Sequence, residues 1–237
     1  MSTHVVQRAR VPARMPAAVQ NQLRWFADGL VLAFAVPFVF ADVLDVPRDL
    51  YYGIYTVSVV AFFILWARAT RQSLGEMFRR RWRLSVALGA AFAGLLALLV
   101  LQTDDTTARP DGLELVGAVV WRGVVYGLTD GLLLSVFPIL AIYAAFAGTA
   151  RPVNGARKLT VGLAALAASL AMTAVYHLGY SDFRSEKLRA PVAGDVAWSV
   201  PTLVTLNPIG APIAHAGLHT SAVLHSYETD TFLPPHE

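Results

Sequence analysis

The sequence predicts an all-α membrane protein, a polytopic bundle of about seven or eight transmembrane helices. Hydrophobic residues make up 56% of the 237 residues and charged residues only 15%, whereas soluble domains carry about 25% charged residues. The segment 84–101 contains no charged residue. As a helix it would extend about 27 Å, close to the hydrocarbon thickness of a bilayer, roughly 30 Å. Because several such blocks recur along one chain, they indicate membrane spans rather than buried helices of a soluble protein.

The chain divides into two polar ends and one apolar domain. The first 26 residues are polar and basic and lack the apolar core of a signal peptide. We expect a flexible cytoplasmic tail over 1–26, a single transmembrane domain over 27–226 and a short acidic tail over 227–237. The apolar blocks that predict the spans of this domain are 27–44, 51–67, 84–101, 113–148, 160–178 and 197–226.

The charges between the apolar blocks alternate in sign. The N-terminal tail has four arginines and no acidic residue, and 68–83 has six arginines and one glutamate. The segments 42–50 and 102–112 each have three aspartates and one arginine. Since arginine-rich loops stay in the cytoplasm, we expect a multi-pass protein of the cell (inner or plasma) membrane with a cytoplasmic N-terminus. The same topology accounts for the arginines without a nucleic-acid partner, and it makes the lipid bilayer the expected partner.

Two apolar blocks are irregular. The block 113–148 would run about 54 Å as one helix, too long for a simple crossing, and the sequence GLTDG at 127–131 could break it. It is either two crossings or one crossing preceded by an interfacial or re-entrant segment; the second fits the positive charges after 148 better. The block 197–226 contains three prolines, at 201, 208 and 212, which predict an interrupted helix.

Aromatic residues near the ends of the blocks are expected to be anchors at the membrane interface. They are Trp25, Tyr51, Tyr52, Trp66, Trp82 and Trp198.

Histidines in apolar segments are the first candidates for function, because ionisable groups inside a membrane are costly. His215 and His219 are four residues apart, so on a helix they share a face, and two imidazoles at this spacing can bind one metal ion. His177 ends another apolar block and could supply a third ligand. We therefore predict a divalent metal site, such as zinc, formed by His177, His215 and His219. His225 is rotated to another face and is expected near the membrane surface.

Arg122 is the second candidate, since it lies in the apolar sequence GAVVWRGVVYG. A buried arginine needs a carboxylate or several carbonyl groups as partners. Glu114 and Asp130 are each eight residues away, about 12 Å along a straight helix. A catalytic role, a structural ion pair and an arginine that reaches the interface all remain open. The chain has no cysteine, which excludes disulfides, iron–sulfur clusters and thiol nucleophiles.

Three short motifs resemble those of the CAAX-protease and bacteriocin-processing (CPBP) family of intramembrane proteases. VVWRG (119–123) resembles the end of the first family motif, Glu-Glu-x-x-x-Arg-Gly. TAVYH (173–177) resembles the second, Phe-x-x-x-His, and APIAHAGLH (211–219) resembles the third, in which an apolar approach leads to His-x-x-x-Asn. The resemblance implies a bundle of about eight helices with a polar site inside the membrane, where a glutamate and histidines activate water for peptide-bond hydrolysis.

By this resemblance His177, His215 and Arg122 would be catalytic positions, and the substrate would be a peptide or a lipid-like molecule. The two glutamates of the first motif are replaced by Gly117 and Ala118. We therefore expect a divergent or inactive relative, with weak proteolysis at most unless Asp130 or Glu114 supplies the missing base.

Two other functions remain open from the sequence. His177 and His215 could be the axial ligands of a haem b between helices. Alternatively, Asp130, Arg122 and the histidines could form a relay in a proton-coupled or small-solute transporter, with NPIGAP as a discontinuous helix.

Overall fold

The computed structural model describes residues 15–146, 155–229 and 232–233. Within these ranges the regular secondary structure is entirely helical, so the predicted all-α fold class is confirmed. Five helices in this part of the chain are long and apolar enough to cross a membrane. They indicate a multi-pass membrane protein.

Eight helices of six or more residues are present in the described ranges, and they are numbered in chain order. They are α1 (Ala17–Val43), α2 (Arg48–Ala69), α3 (Leu74–Arg79), α4 (Trp82–Thr103), α5 (Gly112–Phe146), α6 (Gly155–Leu178), α7 (Arg189–Thr205) and α8 (Gly210–His225). The five candidate membrane spans are α1, α2, α4, α5 and α6.

Helix α1 begins earlier than predicted, at Ala17 rather than at 27. Its first turns are polar, yet Gln22 is buried in the bundle. Its side-chain oxygen accepts a hydrogen bond of 2.9 Å from Trp66 Nε1, which compensates for the burial of the amide. Of the predicted flexible tail, residues 1–14 lie outside the described residues. At the other end of the chain Leu233 is buried against α4 and α8, so part of the predicted acidic tail packs on the bundle.

Helix α5 is continuous, so the break that the sequence allowed at 127–131 does not occur. The α-helical turn Tyr126–Gly131 lies between two π-helical stretches, Val119–Val125 and Leu132–Val136. A π-helical stretch takes up extra residues without ending the helix. The block therefore forms one helix of 35 residues, which excludes two separate crossings.

The predicted interruption of the last apolar block is confirmed. Helix α7 ends at Thr205, Leu206 has a left-handed backbone (φ 52°), and α8 begins at Gly210. Asn207 in the break donates hydrogen bonds from Nδ2 to the carbonyl oxygens of Met77, Phe78 and Arg80. Irregular backbone is tolerated inside a membrane protein where its polar groups find such partners.

Helix α8 lies at the centre of the bundle, packed against α4, α5 and α7. Two glycines of α5 allow the close approach. A Cβ atom on Gly127 would lie 2.7 Å from Ala216 Cα, and one on Gly131 would lie 2.6 Å from Pro212 Cα. Small residues at such contacts let the backbones of membrane helices meet, and here they bring the histidines of α8 to the polar turn of α5.

The expectation of interfacial aromatic anchors is wrong for four of the six residues. Tyr51, Tyr52 and Trp66 are fully buried and Trp198 is almost so. Their polar groups explain this in part, because Tyr51 is hydrogen-bonded to Tyr180 at 2.6 Å and Trp66 to Gln22. Trp82 is half exposed, as an anchor requires.

The two ends of the bundle differ in charge. The arginine end is the one that carries 68–83, and the aspartate end is the one that carries 42–50 and 102–112. Contacts that join separate segments at the aspartate end include Arg184 with Asp42 (2.9 Å), Arg122 with Asp49 (2.8 Å) and Thr107 N with His225 O (3.0 Å).

Candidate site formed by Asp130 and the histidines of α8

Asp130 is the centre of the candidate site. It lies on the α-helical turn of α5 between the two π-helical stretches and is only 4% exposed. Its Oδ2 atom is 3.4 Å from Nε2 of His219 and 4.0 Å from Nε2 of His215. Its Oδ1 atom accepts a hydrogen bond of 2.8 Å from the hydroxyl of Tyr55. One carboxylate thus faces two imidazoles and is held by a phenol.

The two histidines of α8 stand one turn apart on the same face, as their spacing predicts. Their ring centroids are 6.2 Å apart and the rings are inclined by 26°. His215 packs against Trp198 at 4.5 Å, and His219 meets the edge of Tyr126 at 4.9 Å. Both are buried, and neither Nε2 of His215 nor Nδ1 of His219 has a hydrogen-bond partner within the described residues. Buried polar atoms without partners are uncommon and indicate a place for water or a ligand.

His177 faces the same cavity from α6. Its Nδ1 atom lies 2.8 Å from the carbonyl oxygen of Thr173. Because a carbonyl oxygen can only accept, Nδ1 carries the proton, which leaves the lone pair of Nε2 available in the neutral ring. Tyr176 and Phe183 contact the ring in edge-to-face geometry at 5.1 and 4.8 Å.

A cavity of about 690 Å³ joins these groups. This volume is in the range of small-molecule binding sites. Asp130, His177, His215 and His219 lie in its polar wall. Its apolar wall includes Leu134, Phe183 and Leu218. The cavity extends to the aspartate end, where Asp182, Lys187, Glu228 and Thr229 line it.

Sequence reasoning missed the tyrosines behind Asp130. The hydroxyl of Tyr126 contacts that of Tyr176, which is 2.8 Å from the hydroxyl of Tyr180, and Tyr180 is 2.6 Å from Tyr51. All four are buried. The available signal was spacing: Tyr51 and Tyr55 are four residues apart on α2, so they share a helix face. Tyr180 lies beyond the end of α6, so helical spacing could not have linked it to Tyr176.

Arg122 lies outside the cavity. Its guanidinium forms two hydrogen bonds of 2.8 Å with the carboxylate of Asp49 at the start of α2, and it covers the ring of Tyr227 at 5.0 Å. Of the alternatives that the sequence left open, this geometry is that of a structural ion pair. Its partner is neither Glu114 nor Asp130.

The metal site predicted from His177, His215 and His219 finds no support in the structure. Within the described ranges, no group of three or more His, Cys, Asp or Glu residues could hold a metal ion.

No family model, curated protein or solved structure matches the chain. The resemblance to the CPBP family therefore rests on the motif residues. Of these, His177 and His215 line the cavity and Arg122 does not. Asp130, which belongs to none of the three motifs, is the carboxylate that contacts the histidines.

Proposed function

We propose that the protein is a membrane-embedded hydrolase in which Asp130 and the histidines of α8 activate water against a carbonyl group of a peptide or lipid-like substrate. The observation that carries this proposal is the contact of the buried Asp130 carboxylate with Nε2 of both His215 and His219 in the wall of a substrate-sized cavity. A carboxylate in this position replaces the base that Gly117 and Ala118 cannot provide.

The separation of Asp130 and His215 suits a shared water molecule. Their facing atoms are 4.0 Å apart, which is too long for a direct hydrogen bond. A water molecule beside this pair can lie about 2.8 Å from each atom, at normal hydrogen-bonding distance. It would satisfy Nε2 of His215, which otherwise has no partner within the described residues.

The reaction then follows from the roles of these groups. The water oxygen attacks the substrate carbonyl carbon while Asp130 accepts a water proton. An imidazole N–H of His215 or His219 donates a hydrogen bond to the oxygen that becomes negative. The proton on Asp130 passes to the leaving nitrogen or oxygen as the scissile bond breaks, and the carboxylate is regenerated. The hydroxyl of Tyr55 holds Asp130 in place throughout.

The position of the cavity favours an amphipathic substrate. Its deep part is lined by apolar side chains and its outer part by Lys187, Asp182 and Glu228. A substrate with an apolar segment and a polar end would match both parts. We infer that such a molecule enters from the aspartate end or from the adjacent leaflet.

We also infer that the bundle crosses the membrane seven times. Helices α7 and α8, of 17 and 16 residues, would extend about 24–26 Å. Together with the five longer helices of the described ranges, they would make seven crossings. An odd number of crossings puts the chain termini on opposite sides. Since the arginine end is expected in the cytoplasm, the N-terminus lies inside and the cavity opens outside.

The experiment is a hydrolysis assay with purified protein in lipid vesicles and a panel of peptides and acyl esters, with products identified by mass spectrometry. We expect the wild-type protein to release carboxylic acid products and Asp130→Asn to lower the rate by about 10²–10⁴-fold, the typical contribution of a general base. Asp195→Asn is the matched control. Asp195 is also a buried carboxylate, but it is bound by Ser135, Ser169 and Ser199 and does not line the cavity.

Equal rates for Asp130→Asn and the wild type would overturn the proposal. So would a wild-type protein that hydrolyses nothing in the panel but takes up protons along a pH gradient in an Asp130-dependent manner, because that result would favour a proton-coupled carrier.

A further inference from the structure

A second cavity lies at the arginine end of the bundle, on the opposite side from the Asp130 cavity. Its volume is about 830 Å³. It is bounded by α3, by the last turns of α5 and α7 and by the first turns of α6. None of its lining residues belongs to the proposed hydrolytic site.

The rim of this cavity is positively charged. Arg80, Arg81 and Lys158 line it against a single acidic residue, Glu76. Arg81 is fixed there by its backbone, which is left-handed (φ 46°), and by a hydrogen bond of 3.2 Å from Nη1 to the carbonyl oxygen of Val204. An arginine has five N–H donors, so this bond leaves others for an anion. The rim thus offers three cations from two separate parts of the chain.

The floor of the cavity is apolar. It is formed by Leu140, Val161, Leu203 and Leu206, which belong to three different helices and the break after α7. Beside the cavity, Phe78 and Trp82 are 44% and 49% exposed. Exposed aromatic residues next to arginines are typical of the headgroup layer. A ligand that fits both parts has a negative headgroup and an acyl chain.

We propose that this cavity binds an anionic phospholipid from the leaflet that meets the arginine end. The lipid phosphate would lie among Arg80, Arg81 and Lys158, and the first part of an acyl chain would cover the apolar floor. Basic pockets between membrane helices bind anionic headgroups in this way. A free phosphate ion would use the rim but would leave the floor exposed, so the apolar floor favours the lipid.

The test compares lipid binding by the full-length protein and by two double variants of equal charge. Arg80→Gln/Lys158→Gln removes two cations from the rim. Arg68→Gln/Arg79→Gln removes two cations of the same end that do not line the cavity. Bound lipid is counted by native mass spectrometry after titration with phosphatidylglycerol or phosphatidylcholine, and thermal unfolding in phosphatidylcholine nanodiscs verifies that each variant is folded.

We expect the wild-type protein to retain phosphatidylglycerol in preference to phosphatidylcholine. The rim variant should bind phosphatidylglycerol about 10–30-fold more weakly, since each basic residue near an anionic lipid contributes roughly fivefold in affinity. The control variant should bind it as the wild type does. Leu203→Trp, which fills the floor, should also weaken lipid binding while leaving the rim cations in place.

Two results would overturn the proposal. If both double variants lose phosphatidylglycerol equally, the binding reflects the overall charge of this end and not the cavity. If inorganic phosphate displaces the lipid, and Leu203→Trp leaves both affinities unchanged, the rim is a phosphate site and the floor has no acyl ligand.

Discussion

Asp130 depends on side chains from several helices for its position. The hydroxyl of Tyr55 on α2 donates to Oδ1, while His215 and His219 on α8 face Oδ2. Removing the phenol hydroxyl should therefore have two effects. We predict that Tyr55→Phe lowers the free energy of unfolding by about 1–2 kcal/mol, as expected for a hydrogen bond to a buried carboxylate, and that it also lowers the hydrolysis rate by letting the carboxylate rotate.

Thermal unfolding and hydrolysis of purified Tyr55→Phe check this prediction. Tyr143→Phe is the control, because Tyr143 is only half-buried and lines the other cavity. A variant at Tyr55 with unchanged stability and rate would mean that the hydrogen bond does not position Asp130.

Part of this site could be predicted from the sequence. The four-residue spacing of His215 and His219 correctly predicts a shared face, because it depends only on the geometry of one helix. The partnership with Asp130 could not be predicted in the same way. Asp130 and His219 are 89 residues apart, and only the packing of α8 on α5 brings them together. Tyr55, on a third helix, is hidden for the same reason.

At the scale of the helices, the approach of α8 to α5 depends on glycine. A Cβ atom on Gly127 would lie 2.7 Å from Ala216 Cα and 2.9 Å from Ala216 N, and the backbone cannot yield as a flexible side chain can. We predict that Gly127→Ala lowers the free energy of unfolding by about 1–3 kcal/mol, the usual cost of overpacking. Because the displaced helix carries the histidines, it should also lower hydrolysis.

Gly117→Ala is the matched control, since Gly117 lies on the same helix and a Cβ atom there would meet open space. Unfolding measured for both variants in the same detergent separates packing from helix propensity, because the change of residue type is identical. Equal stability of the two variants would contradict the account of how α8 is held.

The continuity of α5 is the main element that the sequence did not predict. Two glycines and a threonine at 127–131 indicated a break. The preference of glycine for turns is overridden here because both glycines face α8 at close range. A helical backbone is needed to keep them in that position. The break at 206–209 was predictable, because proline lacks a backbone donor whatever its surroundings.

For the whole molecule, topology can be tested with single cysteines because the chain has none of its own. We predict that Gly75→Cys, at the arginine end, is protected from a membrane-impermeant maleimide in intact cells and is labelled after the membrane is opened. Asp105→Cys, at the aspartate end, should be labelled in intact cells. Labelling in the reverse order would place the arginine end outside and would contradict the positive-inside assignment.

The apolar composition and the alternation of charges predicted an all-α protein with several apolar helices, because both follow from the cost of placing charge in lipid. Which side chains meet inside the bundle depends on contacts between segments that are far apart in the sequence. These contacts could not be predicted from local sequence patterns. Arg122 illustrates this limit, since its partner Asp49 lies 73 residues away in the sequence and on another helix.

Hydrolysis in water enriched in oxygen-18 shows whether water attacks the substrate at the Asp130 site. The purified wild-type protein, reconstituted in vesicles, should give a carboxylic acid product that has gained one oxygen-18 atom, as mass spectrometry would detect. Asp130→Asn should form this product at least about 100-fold more slowly, while Asp195→Asn should form it at close to the wild-type rate. Labelled product formed equally fast by Asp130→Asn would show that Asp130 is not the base, and product formed without the label would show that water is not the nucleophile.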